Sequence, residues 1–136
     1  MKRPRRILQY YDDGNIKASM STPLTPPAFW ILTALTGGRR HGYEILRETA
    51  AASDGRVTLK VTTLYSALER LERDGLIASD GEEIVNGRAR RYYVLSNEGE
   101  ASLAAEVEAL ETQARVARAR LEASRPASAP GRAVLS

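Results

Sequence analysis

Three arginines beside a predicted turn are the residues of this sequence best suited to binding a polyanion. Arg88, Arg90 and Arg91 lie in a stretch, 86–93, that contains no acidic residue. A guanidinium presents several N–H donors in one plane, so it can hold phosphate oxygens or enter a DNA minor groove. Charge that protects an edge strand from aggregation is the alternative, but one basic residue would serve that purpose. Acidic residues precede the turn, so we expect DNA contact only at the turn and the strand after it.

A second group of residues suited to nucleic acid lies on one face of a predicted helix. Leu64, Leu68 and Leu71 recur at helical spacing, which places the opposite face in solvent. The first half of that face carries short hydroxyl side chains that can approach base edges and phosphates closely. A polar surface helix without a ligand is the alternative for this element alone. The predicted DNA contacts of this region are Lys60, Thr62, Thr63, Tyr65, Ser66 and Arg70.

The scarcity of histidine and cysteine excludes most catalytic and metal chemistry. The chain has no Cys, which excludes disulfides, zinc fingers and thiol nucleophiles. It has one His, which leaves almost no possibility of a His-based catalytic triad. We therefore expect neither an enzyme nor a cofactor. His41 stands beside two arginines at a predicted helix start, where it either positions the backbone or touches phosphate. Tyr43 either does the same or lies in the core.

The composition is that of a globular domain with tails. Of 136 residues, 43% are hydrophobic and 27% are charged, and no apolar run is long enough to cross a bilayer, so no membrane partner is expected. Residues 1–19 contain five basic and two acidic side chains, which account for the whole net charge of +3. They precede the second methionine, Met20, and are either a solvated tail or lie before the true start. The overall charge is therefore weak evidence for nucleic acid.

Caps and turn residues predict the order helix, helix, strand, helix, hairpin, helix. Thr25 and Pro26 suit a helix start, and Asn86-Gly87 is the strongest short signal for a hairpin turn. The predicted elements are helices 26–36 and 41–52, a strand 56–59, a third helix ending at Asp74-Gly75, strands 76–85 and 88–95, and a helix 97–122. This order predicts a mainly α protein with a small antiparallel β-hairpin, a winged helix-turn-helix over 23–96. We expect a flexible extension over 1–22 and a disordered tail over 123–136.

Apolar residues in the last predicted helix recur with a period near 3.5, as in a coiled coil. So long an apolar stripe needs a further surface, which a second subunit supplies; packing on the chain's own first helix is the alternative. Both can hold if the partner covers the aromatic residues of that first helix. The predicted dimer interface is Phe29, Trp30, Leu103, Val107, Leu110, Ala114, Ala117 and Leu121.

Three segments together resemble the PadR family of winged-helix transcriptional regulators. They contain His41-Gly-Tyr, Thr63-Leu-Tyr-Ser-Ala-Leu and Arg90-Arg-Tyr-Tyr, and the resemblance extends over about residues 28–104. It implies a cytoplasmic homodimer that places the third helix and the wing on a palindromic operator. Many such proteins are repressors released by a small effector. The chain departs from the family at Lys60-Val61-Thr62, where members often have a small or capping residue followed by glycine.

The resemblance assigns recognition to Thr62, Thr63, Tyr65 and Ser66, and the wing role to the three arginines. It leaves the operator open, because the departure lies at the start of the recognition helix. A winged-helix module that binds a protein rather than DNA is the competing hypothesis. In that case the wing arginines could be exchanged for glutamine without loss of the partner.

Overall fold

The computed structural model describes residues 23–126, and the predicted extension 1–22 and the end of the predicted tail lie outside them. Its elements form a winged helix with a long C-terminal helix, as the sequence predicts. They are α1 Pro26–Leu35, β1 Arg40–His41, α2 Gly42–Ala52, α3 Val61–Arg73, β2 Ile77–Val85, β3 Arg88–Leu95 and α4 Asn97–Ser124. The chain divides after Leu103 into two compact units. Within the described residues, no helix has the length and hydropathy that a bilayer span requires.

The helix ends confirm the predicted local signals. The Thr25 side chain accepts a hydrogen bond from the Ala28 N–H at 3.2 Å, which satisfies one of the free donors at the start of α1. Gly75, at a φ of 80°, ends α3, and glycine adopts this left-handed conformation without a steric penalty. The Ser96 hydroxyl accepts from the Gly99 N–H at 2.9 Å and donates to the Gly75 carbonyl at 2.7 Å. Ser96 therefore joins the end of α3 to the start of α4.

The predicted strand over 56–59 is wrong, because this segment is not a strand and pairs with no strand among residues 23–126. The Val57 N–H donates instead to the Ser53 hydroxyl at 3.0 Å. The third strand is β1, which precedes α2 and lies beside β3, with Arg40 opposite Tyr93 and His41 opposite Tyr92. The antiparallel sheet therefore has the order β1-β3-β2. The hairpin of β2 and β3, which we call the wing, turns at Asn86-Gly87 with positive φ at both residues, as predicted.

The core of residues 23–103 is formed by the inner faces of α1, α2 and α3 and by the base of the sheet. Ile31, Leu32, Ile45, Leu64 and Leu68 are at most 1% exposed. Burial of such side chains is the main favourable contribution to the free energy of folding. The core holds the three helices and the base of the wing in one body, and so sets where the exposed face of α3 lies relative to the wing.

Thr49 is the buried side chain of this core whose hydroxyl has no hydrogen-bond partner among the described residues. A buried hydroxyl without a partner carries a desolvation cost, and valine has the same shape without the hydroxyl. We expect Thr49→Val to raise the free energy of unfolding by about 1 kcal/mol, or the melting temperature by several degrees. Thermal unfolding measures this. Thr33→Val is the control, because the Thr33 hydroxyl donates to the Phe29 carbonyl at 2.7 Å, and it should not stabilise; equal gains would contradict the explanation.

Residues 104–126 form a single exposed helical segment. Its seam residues Val107, Leu110 and Leu121 are 39%, 43% and 68% exposed. Leu103 differs from them, because it is buried in the core of its own chain. The exposed part of the seam therefore begins at Val107, and a role of Leu103 in the dimer interface stays a prediction.

Candidate nucleic-acid interface

A cleft of about 560 Å³ separates the wing from the starts of α2 and α3. Aromatic and aliphatic side chains cover its floor, and arginines stand along the wing side. No acidic side chain belongs to the described residues that line it. The lining residues are His41, Gly42, Tyr43, Leu46, Val61, Tyr65, Val85, Asn86, Arg88, Ala89, Arg90 and Arg91. The cleft can accept an elongated anion, because it is open, basic and bordered by a helix N-terminus.

The exposed face of α3 carries all the residues that the sequence assigned to it. Thr62, Thr63 and Ser66 are exposed in the first half of α3, and Lys60 and Arg70 are exposed at the two ends of this face. Lys60 is the N-cap of α3 and makes no side-chain cap hydrogen bond. The first N–H groups of α3 are therefore not satisfied by a capping side chain, which leaves them available to an anion. Val61, which the sequence analysis missed, is 58% exposed at the same end.

His41 caps the start of α2 and positions its backbone. Its ring accepts from the Glu44 N–H at 3.4 Å, and the Glu44 carboxylate accepts from the His41 N–H at 3.1 Å, which is a reciprocal cap of α2. The side chain is buried edge-on against the Tyr92 ring. Direct DNA contact by His41 stays a prediction: its side chain is buried, and the residue lines the cleft. Tyr43 is 61% exposed, so it is a surface residue of the cleft and not a core residue.

Gly42 of α2 packs directly against the Tyr65 side chain of α3. A Cβ at Gly42 would lie 2.5 Å from the Tyr65 hydroxyl oxygen and 3.0 Å from its ring carbon Cζ. Any side chain at residue 42 therefore forces the Tyr65 ring to move. This contact explains why glycine follows His41, and it holds the Tyr65 ring at the floor of the cleft.

We expect Gly42→Ala to lower the free energy of unfolding by about 1–3 kcal/mol, the usual cost of overpacking, and to displace Tyr65 from the cleft. Thermal unfolding and the NMR shifts of the Tyr65 ring measure the two effects. Gly37→Ala is the control, because the nearest atom to its Cβ is the end of the flexible Arg40 side chain at 2.9 Å. Equal destabilisation by the two alanines would contradict a specific Gly42–Tyr65 contact.

The three wing arginines have different surroundings. Arg88 and Arg90 are exposed, and neither forms an ion pair with another residue in the range 23–126. Arg91 is already bonded: its guanidinium donates to the Ser79 hydroxyl and lies 3.4 Å from the Glu72 carboxylate. Within the described residues, two of the three predicted guanidinium groups therefore have no ion-pair partner and can bind a phosphate.

The opposite face of the wing is held by Arg39, which the sequence analysis did not assign. Its guanidinium lies 3.8 Å from the centre of the Tyr92 ring and 3.1 Å from the Asp80 carboxylate. The Tyr92 hydroxyl donates to the Glu83 carboxylate at 2.9 Å, and this hydrogen bond raises the pKa of Tyr92. Two acidic residues of β2, Asp80 and Glu83, thus have partners on the wing face away from α3. In the sequence, Arg39 is recognisable only as a basic residue next to the predicted turn at Gly37-Gly38. Its role was missed because its partners, Asp80 and Tyr92, are distant in sequence.

Comparison with known proteins gives the family of this fold. The family model described as "Transcriptional regulator PadR-like family" matches residues 31–105. A transcriptional regulator of Mycobacterium tuberculosis is 40% identical over 86 residues, which are 63% of this chain and 64% of that protein. The match thus spans less than two thirds of the mycobacterial protein.

Solved structures show the same fold. A crystal structure of a PadR family transcription regulator from Clostridium difficile is similar with a TM-score of 0.60 at 30% identity, covering 71% of this chain and 99% of that one. The structure of Bacillus subtilis PadR in complex with operator DNA has a TM-score of 0.53 at 22% identity, covering 59% of this chain and 46% of that one. Similarity to the Bacillus subtilis structure at 22% identity shows only that the fold is the same.

Proposed function

Because this chain belongs to the PadR-like family of transcriptional regulators, we propose that it binds DNA as a homodimer through α3 and the wing. Its partner would be a palindromic operator, and its action that of a cytoplasmic repressor. The relative from Bacillus subtilis was solved with operator DNA, which supports duplex DNA as the ligand. Release by a small effector stays a prediction of the family resemblance.

The cleft between α3 and the wing is the observation that carries this proposal. It combines the two unpaired arginines, the uncapped start of α3 and the absence of acidic lining residues in the described chain. A helix that enters the major groove presents its first residues to base edges. The hydroxyls of Thr62, Thr63 and Ser66 are at that end, and the wing arginines can contact the adjoining phosphate backbone. Base readout and phosphate contact are thus assigned to different elements.

The exposed seam of α4 supports a homodimer. The seam residues repeat at alternating spacings of three and four, and all of them are exposed: Val107, Leu110, Ala114, Ala117 and Leu121. The same seam on a second copy is its natural complement, because a two-fold interface pairs identical surfaces. Two aromatic residues of α1, Phe29 and Trp30, also belong to the proposed dimer interface. Both are half-buried, and their ring centres lie 5.2 Å apart. A two-fold dimer would bind half-sites about 34 Å apart, one turn of DNA.

Selection of bound duplexes from a random pool, with the mass of each complex measured, tests the proposal. The expected result is an inverted repeat, bound by two chains, with an affinity that falls steeply as salt rises. A direct contradiction would be a monomer that enriches no sequence.

The competing hypothesis, a module that binds a protein, predicts a different outcome. Binding to duplex DNA would then be absent or indifferent to sequence, and exchange of Arg88 and Arg90 for glutamine would leave the protein partner bound. The same purified chain, captured with and without DNA, distinguishes the two.

A further inference from the structure

Three side chains join the wing to α3, and we call them the wing anchor: Glu72 on α3, Ser79 on β2 and Arg91 on β3. The Ser79 hydroxyl donates to the Glu72 carboxylate at 2.7 Å. Arg91 Nε and Nη2 both donate to the Ser79 oxygen, at 3.0 and 2.7 Å, and Nη2 lies 3.4 Å from Glu72. The wing anchor therefore connects the two elements that border the cleft.

The wing anchor lies where β2 bends. The pairing of β2 with β3 shifts register between Ser79 and Glu82, which is a β-bulge that changes the direction of a strand. The part of the wing beyond the bulge carries Arg88 and Arg90. Their position relative to α3 consequently depends on the angle at the bulge, and Ser79 is the last regularly paired residue of β2 before it.

The charges around Arg91 make it a poor phosphate ligand. Its guanidinium lies 3.4 Å from the Glu72 carboxylate. A glutamate lies opposite both Arg91 and Arg90 across the hairpin, so the bonds to Glu72 and Ser79 are what distinguish Arg91. A phosphate would have to displace a carboxylate at Arg91, whereas Arg88 and Arg90 have no ion-pair partner in the range 23–126. Exposed ion pairs contribute little to global stability.

We infer that Arg91 is a positioning residue which, with Ser79 and Glu72, fixes the direction of the wing, and that phosphate contact belongs to Arg88 and Arg90. This inference rests on the proposed DNA-binding function and divides the basic residues of the wing between two roles. It also gives a role in DNA binding to a carboxylate, Glu72, that would otherwise only repel DNA.

Salt dependence of DNA binding separates the two roles in the full chain. Arg90→Gln should make the slope of log affinity against log salt shallower by about 0.9 for each phosphate that is no longer neutralised. Arg91→Gln should weaken binding about tenfold, or about 1.4 kcal/mol, and leave the slope unchanged. Equal changes of slope would overturn the inference. A slope unchanged by Arg90→Gln would instead count against the proposed function.

Substitution of the acidic residues tests whether removal of a negative charge raises or lowers the affinity for DNA. Glu72→Ala and Ser79→Ala should both weaken binding, although the first removes a negative charge near DNA. Glu82→Ala is the matched control, because it removes the same charge opposite Arg91 but breaks no side-chain hydrogen bond or ion pair within the described chain; it should strengthen binding. Tighter binding by Glu72→Ala would show that Glu72 acts only through its charge, and would overturn the inference.

Hydrogen exchange in the free protein tests the wing anchor without DNA. The wing amides beyond the bulge should exchange faster in Ser79→Ala and Glu72→Ala than in the unaltered chain, and at an unchanged rate in Arg90→Gln. Amides of α1 report whether the fold as a whole has been destabilised. Unchanged wing exchange in both variants would overturn the inference even if DNA binding were weaker.

Discussion

Replacement of Arg88 and Arg90 by glutamine in the same chain is expected to remove most of the affinity for DNA. Both guanidinium groups are exposed and unpaired within the described chain, so each can release a counterion from a phosphate. With about 0.9 in slope for each contact, two contacts in each chain of a dimer give a slope change of about 3.6. Between about 1 M and about 0.1 M salt, this difference in slope changes the ratio of the two affinities by roughly three orders of magnitude or more. The variant should therefore bind DNA that much more weakly than the unaltered chain at about 0.1 M salt. Titration of a fixed duplex at several salt concentrations measures both quantities.

Thr63→Ala is the control for this experiment. It removes a hydroxyl from the exposed face of α3 but no charge, so it should change the preferred sequence and leave the salt slope as it was. The arginine pair should instead weaken binding to all sequences to the same degree. If both variants altered affinity for random DNA equally, the division between base readout and phosphate contact would be wrong.

Introduction of two glutamates into the α4 seam, Leu110→Glu with Leu121→Glu, is expected to give a monomer. Each change places a charge where the partner's identical charge would face it in an apolar interface. A monomer reaches only one half-site at a time, so affinity for an inverted repeat should fall by about 100-fold or more. Analytical ultracentrifugation gives the mass, and a DNA titration gives the affinity.

Thr112→Glu with Ala119→Glu is the matched control, since it adds the same charge on the face of α4 opposite the seam. It should leave the dimer intact and reduce DNA affinity only by its general charge. Both glutamate pairs lie in exposed positions of α4, so the helix should tolerate them. A dimer that persists in the seam variant would exclude α4 as the interface.

Local sequence signals were sufficient to predict the helices, the hairpin turn and the residues of the candidate site. Thr25, Gly75 and Asn86-Gly87 act through the conformations and hydrogen bonds of their own neighbours, so their effects are visible in a linear pattern. The leucines of α3 likewise placed the hydroxyl face in solvent, because helical periodicity is a property of adjacent turns. From these signals the winged helix and its basic hairpin follow without tertiary information.

Contacts between distant segments determined the strand pairing, the packing around the cleft and the partners of the wing arginines. The sequence placed a strand at 56–59, but pairing with β3 was taken by Arg40–His41, since strand partners are chosen by packing and not by the β propensity of a segment. The fit of Gly42 to Tyr65 and the bond of Arg91 to Ser79 and Glu72 join residues on separate elements. The three wing arginines look alike in the sequence but differ in their surroundings in the fold. Folding brings Ser79 and Glu72 to Arg91, and these two residues compete with phosphate for its guanidinium.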